Sequence, residues 1–386
     1  MAAMVLIMTG MMCILAGCGA VERVKYEWSD SGVGGWEEAA LEAGVTSDVE
    51  EYYYMNLPEE FQETYREIYV HIMKNEDEGD LYSKISSEDF WNVYYAVLAD
   101  HPEIFWLGQS AQVGEMGLTG RVVSYDLETI IPKEARTSMK QQLEAAADVC
   151  ISQIDPEATD YQKIKYVYEY IINTTDYDAD GADSQNIQSV LLYQKSVCAG
   201  YSKAFQYILN RMGMFCTYIT GTIQDGGNHG WNLVRIDGNY YYVDVTWGDP
   251  VFVNRVEGSE DVVMNYNYLC CTEYDLFKTH VPDDWIVLPQ CTMDDYNYYK
   301  LNNQYYETFD YDTIYSKLME SVWNEDASIV MKFGNSEAYE AAKWEMVEGN
   351  LLNDAGQYLM EINGVSSWNY RYHADENFNM ITLYWK

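Results

Sequence analysis

The chain has 386 residues, 48% apolar and 15% aromatic, which is enough for packed cores and excludes wholesale disorder. Its 62 acidic and 23 basic residues give a formal net charge of −39. That excess excludes nucleic acid as a partner, because no Lys/Arg cluster offsets the repulsion from phosphates; it favours either cationic partners or simple solubility. The length exceeds that of one typical domain and predicts two or three.

The N-terminus carries a pattern typical of export. Residues 1–17 are apolar and small, and residues 15–18 are Leu-Ala-Gly-Cys. This resembles a bacterial lipobox, which implies that 1–17 is a signal peptide and that lipid-modified Cys18 anchors the protein at the extracytoplasmic face of the cell membrane. The apolar run is too short to cross a bilayer. Because no Lys or Arg precedes it, a buried apolar helix followed by an incidental Cys is the alternative.

The next segments predict a tether and a mostly helical region. Residues 18–50 are rich in Gly, Ser and acidic residues and predict a flexible tether. Within the N-terminal region, 51–150, Ser86 offers an N-cap for a helix. Apolar periodicity there predicts three helices, at 58–75, 86–100 and 133–154, and two strands, at 104–107 and 121–125.

The remaining chain predicts two α+β units. For 151–293 we expect helices at 160–173 and 198–212, and strands at 215–221, 229–236 and 240–246. For the C-terminal domain, 294–386, we expect helices at 312–323 and 336–348, and strands at 328–333, 368–373 and 380–385. The predicted fold class is therefore α+β.

Three residues in 151–293 have the chemistry of a thiol enzyme. Cys198 stands where a loop enters a helix, and the unpaired N–H groups and dipole of that helix favour a thiolate, the nucleophile that attacks an amide carbonyl. His229 would act as its base and then as proton donor to the leaving amine. Asp244 would hold the imidazole in one tautomer and orientation.

The spacing of two strands explains how His229 and Asp244 could meet. The Asp-Gly pair at 237–238 predicts a two-residue hairpin turn. That turn places Trp231 opposite Asp244 and His229 opposite Thr246, so all four side chains share one face of the sheet. His229 and Asp244 then become diagonal neighbours within side-chain reach.

Three short blocks surround these residues. They are Cys-Ala-Gly-Tyr at 198–201, Asn-His-Gly-Trp-Asn at 228–232, and Tyr-Val-Asp-Val-Thr-Trp-Gly-Asp-Pro at 242–250. In this order they resemble the transglutaminase-like superfamily as found in bacterial lipoproteins, over residues 160 to 285 or so. The resemblance implies a papain-like α+β core, a Cys198–His229–Asp244 triad, and an activity among peptidases, amidases and cross-linking transglutaminases.

Further residues are candidates for the substrate cleft. The backbone N–H of Cys198 is the expected oxyanion donor, and a side chain from Gln185 or Asn186 could add a second. Trp231 and Trp247 either line the acyl cleft or serve as ordinary packing residues.

Metals, nucleotides and other cofactors find no support in the sequence. No CxxC pair favours a structural zinc site, and no phosphate-binding glycine motif occurs. The acidic run at 176–181 begins like a calcium loop but has Ile187 at its twelfth position instead of Glu. His280 stands alone and is expected to be a surface or hydrogen-bonded structural residue. Adjacent Cys270 and Cys271 would face opposite sides of a strand, so at most one should enter the core.

Two functions of different class remain. The first is an extracytoplasmic thiol enzyme that acts on amide bonds of peptides, proteins or cell-wall cross-bridges through a thioester, with hydrolysis favoured over cross-linking. The second is a catalytically inactive cell-surface module that binds peptides or glycans with its Tyr- and Trp-rich flanks. Substrate identity and oligomeric state are left open by the sequence.

Overall fold

The computed structural model describes residues 50–181, 184–224, 226–249, 264–285, 287–363 and 369–385. Cys18, the signal peptide and nearly all of the tether predicted for 18–50 lie outside the described residues. Within the described ranges, no helix combines the length and the apolar character needed to cross a membrane.

The N-terminal region combines helices with a small sheet. Its helices are Tyr52–Asn56 (α1), Glu59–Met73 (α2), Ser87–Asp100 (α3) and Lys133–Ile151 (α4). Its antiparallel sheet, of order β1-β3-β2, is formed by Glu78–Asp80 (β1), Leu107–Met116 (β2) and Arg121–Thr129 (β3). The predicted cap of α3 is confirmed, because the Ser86 side chain accepts the backbone N–H of Asp89.

The strand predicted at 104–107 was wrong. Ile104, Phe105 and Trp106 form a turn, and the strand begins only at Leu107. All three turn side chains are buried. A turn can send consecutive apolar side chains into the core, whereas a half-buried strand alternates them between core and solvent.

The central region contains a four-stranded antiparallel sheet, of order β8-β7-β6-β9, with helices packed on it. The helices are Asp160–Thr174 (α5), Ile187–Leu191 (α6), Cys198–Arg211 (α7), Val245–Gly248 (α8) and Glu273–Leu276 (α9). The strands are Asp176–Tyr177 (β4), Lys195–Ser196 (β5), Cys216–Ile223 (β6), Asn228–Ile236 (β7), Asn239–Val243 (β8) and His280–Pro282 (β9). A 3₁₀ turn spans Tyr266–Tyr268.

Ser202, one helical turn after Cys198, joins α7 to the sheet through two hydrogen bonds. The Ser202 hydroxyl donates to the Gly230 carbonyl (2.9 Å), and the Asn232 amide donates to the Ser202 carbonyl (2.9 Å). Both partners lie on β7. The start of α7 is therefore held against the start of β7, where His229 lies.

The β7–β8 hairpin has the predicted register, but its second strand is shorter than predicted. Asp237 and Gly238 both have positive φ (49° and 78°), as a type I′ turn requires, and Ile236 pairs with Asn239. β8 ends at Val243, and the next residues form α8 instead of continuing the strand. Thr246 therefore does not oppose His229 in a ladder. The cause is Asp244, whose side chain caps α8.

One apolar core runs through the N-terminal and central regions, from Tyr52 to Phe378, without a break near residue 150. Cys270 and Cys271 both belong to it, so the expectation that only one would be buried was wrong. Cys270 lies in a bend with φ of 50°, and Cys271 makes an isolated bridge to Tyr242. Because the bend breaks the alternation of a strand, neighbouring side chains can enter the same core.

The C-terminal residues build a second core around a sheet of order β10-β11-β13-β12. The elements are Tyr298–Leu301 (α10), Tyr305–Tyr306 (β10), Tyr311–Trp323 (α11), Ser328–Phe333 (β11), Ser336–Val347 (α12), Leu351–Asn363 (α13), Tyr370–Asp375 (β12) and Met380–Trp385 (β13). Sequence reasoning missed α13 and β10. Lys332 joins this unit to the first core by donating to the Asn267 side chain (2.7 Å). The chain as a whole has the predicted α+β class.

Candidate active site

Cys198 is the first residue of α7 and differs from the other described cysteines in its surroundings. It is partly exposed, whereas Cys150, Cys216, Cys270, Cys271 and Cys291 are buried. Burial raises the pKa of Cys150 and of Cys291 to about 12, so neither forms a thiolate near neutral pH. At the start of α7, with Val197 as an N-cap that provides no side-chain acceptor, Cys198 faces the free N–H groups of the helix.

His229 lies near the start of β7 with its ring almost fully buried. Its Nε2 is 2.7 Å from Oδ2 of Asp244, and the Cys198 thiol is close enough to the ring to raise its pKa. Because Nε2 is taken by the carboxylate, Nδ1 is the nitrogen left for sulfur. Burial lowers the pKa of His229, but the Asp244 charge, the Asp244 hydrogen bond and the Cys198 thiol outweigh it and raise that pKa to about 10. The raised pKa favours the imidazolium form of the ring.

Asp244 is completely buried, and four donors satisfy its carboxylate. Oδ1 accepts the backbone N–H groups of Thr246 (2.9 Å) and Trp247 (3.1 Å), which caps α8. Oδ2 lies 2.7 Å from His229 Nε2 and 3.0 Å from His280 Nε2. Burial raises the pKa of Asp244, but His229 and then His280 reverse that effect and hold the pKa well below its usual range. The buried carboxylate stays ionised.

His280 is the residue of this candidate site that sequence reasoning missed. It is fully buried on β9, which pairs with β6, and β6 pairs in turn with β7. The expectation of a hydrogen-bonded residue was correct, but the surface alternative was wrong, and its partner in the site was not foreseen. Thirty-six positions separate it from Asp244, so no local spacing joins them. The order of strands in the sheet was the information needed, and periodicity does not supply it.

The two candidate tryptophans lie against the histidines. Trp231 is fully buried, with its ring centroid 6.1 Å from that of His229 and 5.1 Å from that of His280. It packs beneath the pair and does not line an open cleft. Trp247 is partly exposed and lies 4.8 Å from His280 and 6.0 Å from His229, between ring centroids. It is the tryptophan that remains a candidate for contact with substrate.

The two candidate oxyanion side chains lie just before α6. Gln185 is exposed in a turn, and in the part of the chain that the structure describes no hydrogen bond joins its side chain to Cys198. Asn186 is buried, and its side-chain oxygen accepts from Lys203 Nζ at 3.4 Å. Asn186 is thus engaged with Lys203 and not with the thiol, and Gln185 remains only a prediction.

Gly230, which follows His229, has no room for a side chain. A Cβ built there would lie 2.5 Å from the Tyr218 hydroxyl and 2.5 Å from its ring. Tyr218, on the neighbouring strand β6, is close enough to Cys198 for a thiolate to raise the tyrosine's pKa, after the larger effect of burial. The glycine therefore lets the Tyr218 ring reach the nucleophile's side of the sheet.

The site could also be considered as a metal centre, because ligand atoms of His229, Asp244 and His280 all lie within 4.8 Å of one another. The separations of 2.7 and 3.0 Å are those of imidazole-to-carboxylate hydrogen bonds. An ionised carboxylate only accepts, so both Nε2 atoms carry hydrogen. The three residues thus form a hydrogen-bonded unit in which Oδ2 of Asp244 already accepts from both Nε2 atoms.

Residues 148–245 match the transglutaminase-like superfamily. The chain is 25% identical over 154 residues to Kyphoscoliosis peptidase of Homo sapiens, covering 36% of this chain and 23% of that protein. It is 24% identical over 142 residues to the Mus musculus Kyphoscoliosis peptidase, covering 33% and 21%. The chain therefore spans less than a quarter of these relatives' length. A crystal structure of a TGase is similar with 15% identity and a TM-score of 0.27, over 46% of this chain and 50% of that one.

Proposed function

Because the chain carries a transglutaminase-like superfamily domain, we propose that it is a thiol enzyme that cleaves amide bonds of peptides or proteins through a thioester on Cys198. One observation carries the proposal: a buried His229–Asp244 pair at 2.7 Å lies beside a partly exposed cysteine at a helix N-terminus. Thiol acyl transfer requires a nucleophile, a proton carrier and an orienting group, and these residues provide all three.

Acylation follows from this arrangement. The Cys198 thiolate attacks the amide carbon and forms a C–S bond, while the carbonyl electrons move to oxygen. The free N–H groups at the start of α7, including that of Cys198, stabilise the oxyanion. The C–N bond then breaks as His229 transfers its Nδ1 proton to the leaving amine, which leaves a thioester and a neutral imidazole.

Deacylation reverses the roles. Neutral His229 takes a proton from water, whose oxygen attacks the thioester carbon, and the C–S bond breaks to release the acid and the thiolate. Asp244 stays ionised throughout and orients the ring. If an amine replaces water at this step, the product is an amide, and the enzyme cross-links its substrates. We propose hydrolysis as the main outcome because water is always available.

The test is to incubate the protein with a library of peptide amides and cell-wall peptide fragments and to detect new carboxyl termini by mass spectrometry. Cys198→Ala should abolish product, whereas Cys150→Ala, a buried thiol on α4, should retain it. A fluorescent primary amine added to the reaction measures transfer against hydrolysis. Product formation that persists in Cys198→Ala would reject the thioester, and a wild-type protein that binds peptides without turnover would favour the binding module.

We also propose that the protein acts outside the cytoplasm, anchored through Cys18, on peptide, protein or cell-wall peptide substrates. The support is the Leu-Ala-Gly-Cys sequence at residues 15–18. Expressed in a bacterial host, the wild-type protein should partition into detergent and incorporate labelled fatty acid, whereas Cys18→Ala should do neither. Equal lipid labelling of both forms would contradict the anchor without bearing on the triad.

A further inference from the structure

One oxygen of Asp244 accepts from two buried imidazoles. His229 Nε2 lies 2.7 Å and His280 Nε2 3.0 Å from Oδ2, while Oδ1 is used by the backbone of α8. His280 lies outside the segment that matches the family, residues 148–245. The proposed chemistry uses only one of the two rings, so the second requires its own explanation.

His280 is itself held on several sides. Its Nδ1 is 2.8 Å from Oγ1 of Thr279, and that oxygen lies 3.2 Å from the Leu276 carbonyl oxygen, to which it donates. The rings of Trp231, Trp247 and Tyr268 pack around it, with centroids 5.1, 4.8 and 5.7 Å away. A ring packed and hydrogen-bonded in this way cannot turn its Nε2–H away from Asp244 without breaking both contacts.

The two imidazoles differ in what happens to them during turnover. His229 gives up its Nδ1 proton and takes another, so its charge beside Asp244 alternates. No hydrogen bond joins His280 to Cys198 among the described residues, and the proposed steps leave its donation to Oδ2 unchanged. A carboxylate held by a constant donor keeps its position when its other partner becomes neutral.

We propose that His280 is a positioning residue that fixes Asp244 against His229 and thereby maintains the thiolate–imidazolium pair of the proposed enzyme. This proposal depends on the proposed function only where it concerns the turnover of a substrate. Its effect on the thiolate can be measured without a substrate. The titratable groups that face His280 in the described part of the chain are the Asp244 carboxylate, the His229 imidazole and the Tyr268 phenol.

The experiment measures the rate at which iodoacetamide alkylates Cys198 between pH 5 and pH 9, by mass spectrometry of the peptide that contains it. His280→Phe removes the donor, and His280→Gln keeps an amide N–H near the position of Nε2. Thr279→Val removes the partner of Nδ1 with little change in shape. His71→Gln, on α2, is the matched control, because its imidazole contacts Tyr125 and not the site.

We expect His280→Phe to lower alkylation at pH 6 about tenfold and to move the pH midpoint of the rate upward, as the loss of one hydrogen bond to a charged group predicts. His280→Gln should recover most of the rate, Thr279→Val should lose less than His280→Phe, and His71→Gln should match wild type. With a substrate, kcat should fall while KM stays constant. Thermal melting of each variant separates these effects from unfolding.

The proposal is overturned if folded His280→Phe, or Thr279→Val where His280→Phe does not fold, alkylates and turns over like wild type. It is also overturned if His280→Gln is as impaired as His280→Phe, since shape and not the donor would then matter. Failure of the proposed function looks different: wild type and Cys198→Ala would both lack turnover, while the alkylation profiles would still report on His280.

Discussion

Among the residues that the structure describes, two buried clusters of histidine and carboxylate can be compared, and one of them lies beside a thiol. In the first, Asp244 joins His229 and His280. In the second, His101 at the end of α3 lies 2.8 Å from a Glu103 oxygen and 3.2 Å from a Glu51 oxygen, and its ring stacks on Tyr69 at 3.9 Å between centroids. Burial lowers the pKa of His101, but Glu103 and then Glu51 raise it to about 9. In both clusters the carboxylates favour the charged form of the imidazole.

The neighbouring aspartates show how the clusters differ. Asp244 is contacted by two imidazoles, and its pKa is lowered. Asp100 accepts the backbone N–H groups of Tyr53 (2.9 Å) and Tyr54 (3.0 Å) and the Tyr65 hydroxyl (3.0 Å), and burial raises its pKa to about 7. Asp100 holds α1 on α3, and its hydrogen-bond partners among the described residues include no cysteine. A perturbed, buried histidine–carboxylate pair thus identifies a reactive site only when a thiol and a path to solvent accompany it.

The largest expected difference between the two clusters is the effect of an Asp-to-Asn substitution on the turnover of substrate. Asp244→Asn should leave the fold intact but lower kcat roughly 10⁴-fold, because the amide presents a donor where His229 needs an acceptor. Asp100→Asn should leave kcat unchanged and lower the melting temperature. Both are measured with one peptide substrate and by calorimetry. Loss of activity in Asp100→Asn without loss of stability would mean that the two clusters are coupled.

A smaller effect is expected from His101 of the second cluster on the pH dependence of the free energy of unfolding. The folded-state pKa of His101, about 9, lies above the ordinary value of 6.5, so its contribution is complete below pH 6.5 and is lost as pH rises through 9. That shift corresponds to about 3 kcal/mol at most. His101→Gln should therefore flatten the fall in unfolding free energy between pH 6.5 and 9, measured by urea titration. An unchanged slope would show that His101 is not charged in the folded chain.

The smallest effect concerns the ion pair of Arg66 with Glu51, which closes the second cluster towards solvent. Arg66 is partly exposed, so Arg66→Gln should cost only about 1 kcal/mol of stability in urea unfolding. Alkylation of Cys198 should not change. A loss larger than 3 kcal/mol would show that the pair is as demanding as a fully buried one.

Much of the site could be predicted from the sequence, because its parts are local. The helix at Cys198 follows from apolar periodicity and a glycine stop, and the hairpin register follows from a two-residue turn. The end of β8 could not be predicted, since the residues after Asp244 are Val245, Thr246 and Trp247, all of which favour strands. There the capping carboxylate outweighs propensity.

What escaped prediction depended on contacts between distant parts of the chain. His280 joins the site through a three-residue strand, too short to show a period. Helix α13 contains Gly356 and Asn353, which weaken its pattern, and it is held by burial of Leu351 and Leu352 in the second core. In both cases tertiary packing, and not local preference, determines the structure.

The cap on α8 ties the chemistry to the completion of folding. The carboxylate that orients His229 is the same group that closes the turn into α8, so a chain that has not closed this turn has no oriented imidazole. A nascent or unfolding molecule would carry Cys198 as an ordinary thiol. In the proposed enzyme, the reactivity of Cys198 would therefore depend on the closure of this turn.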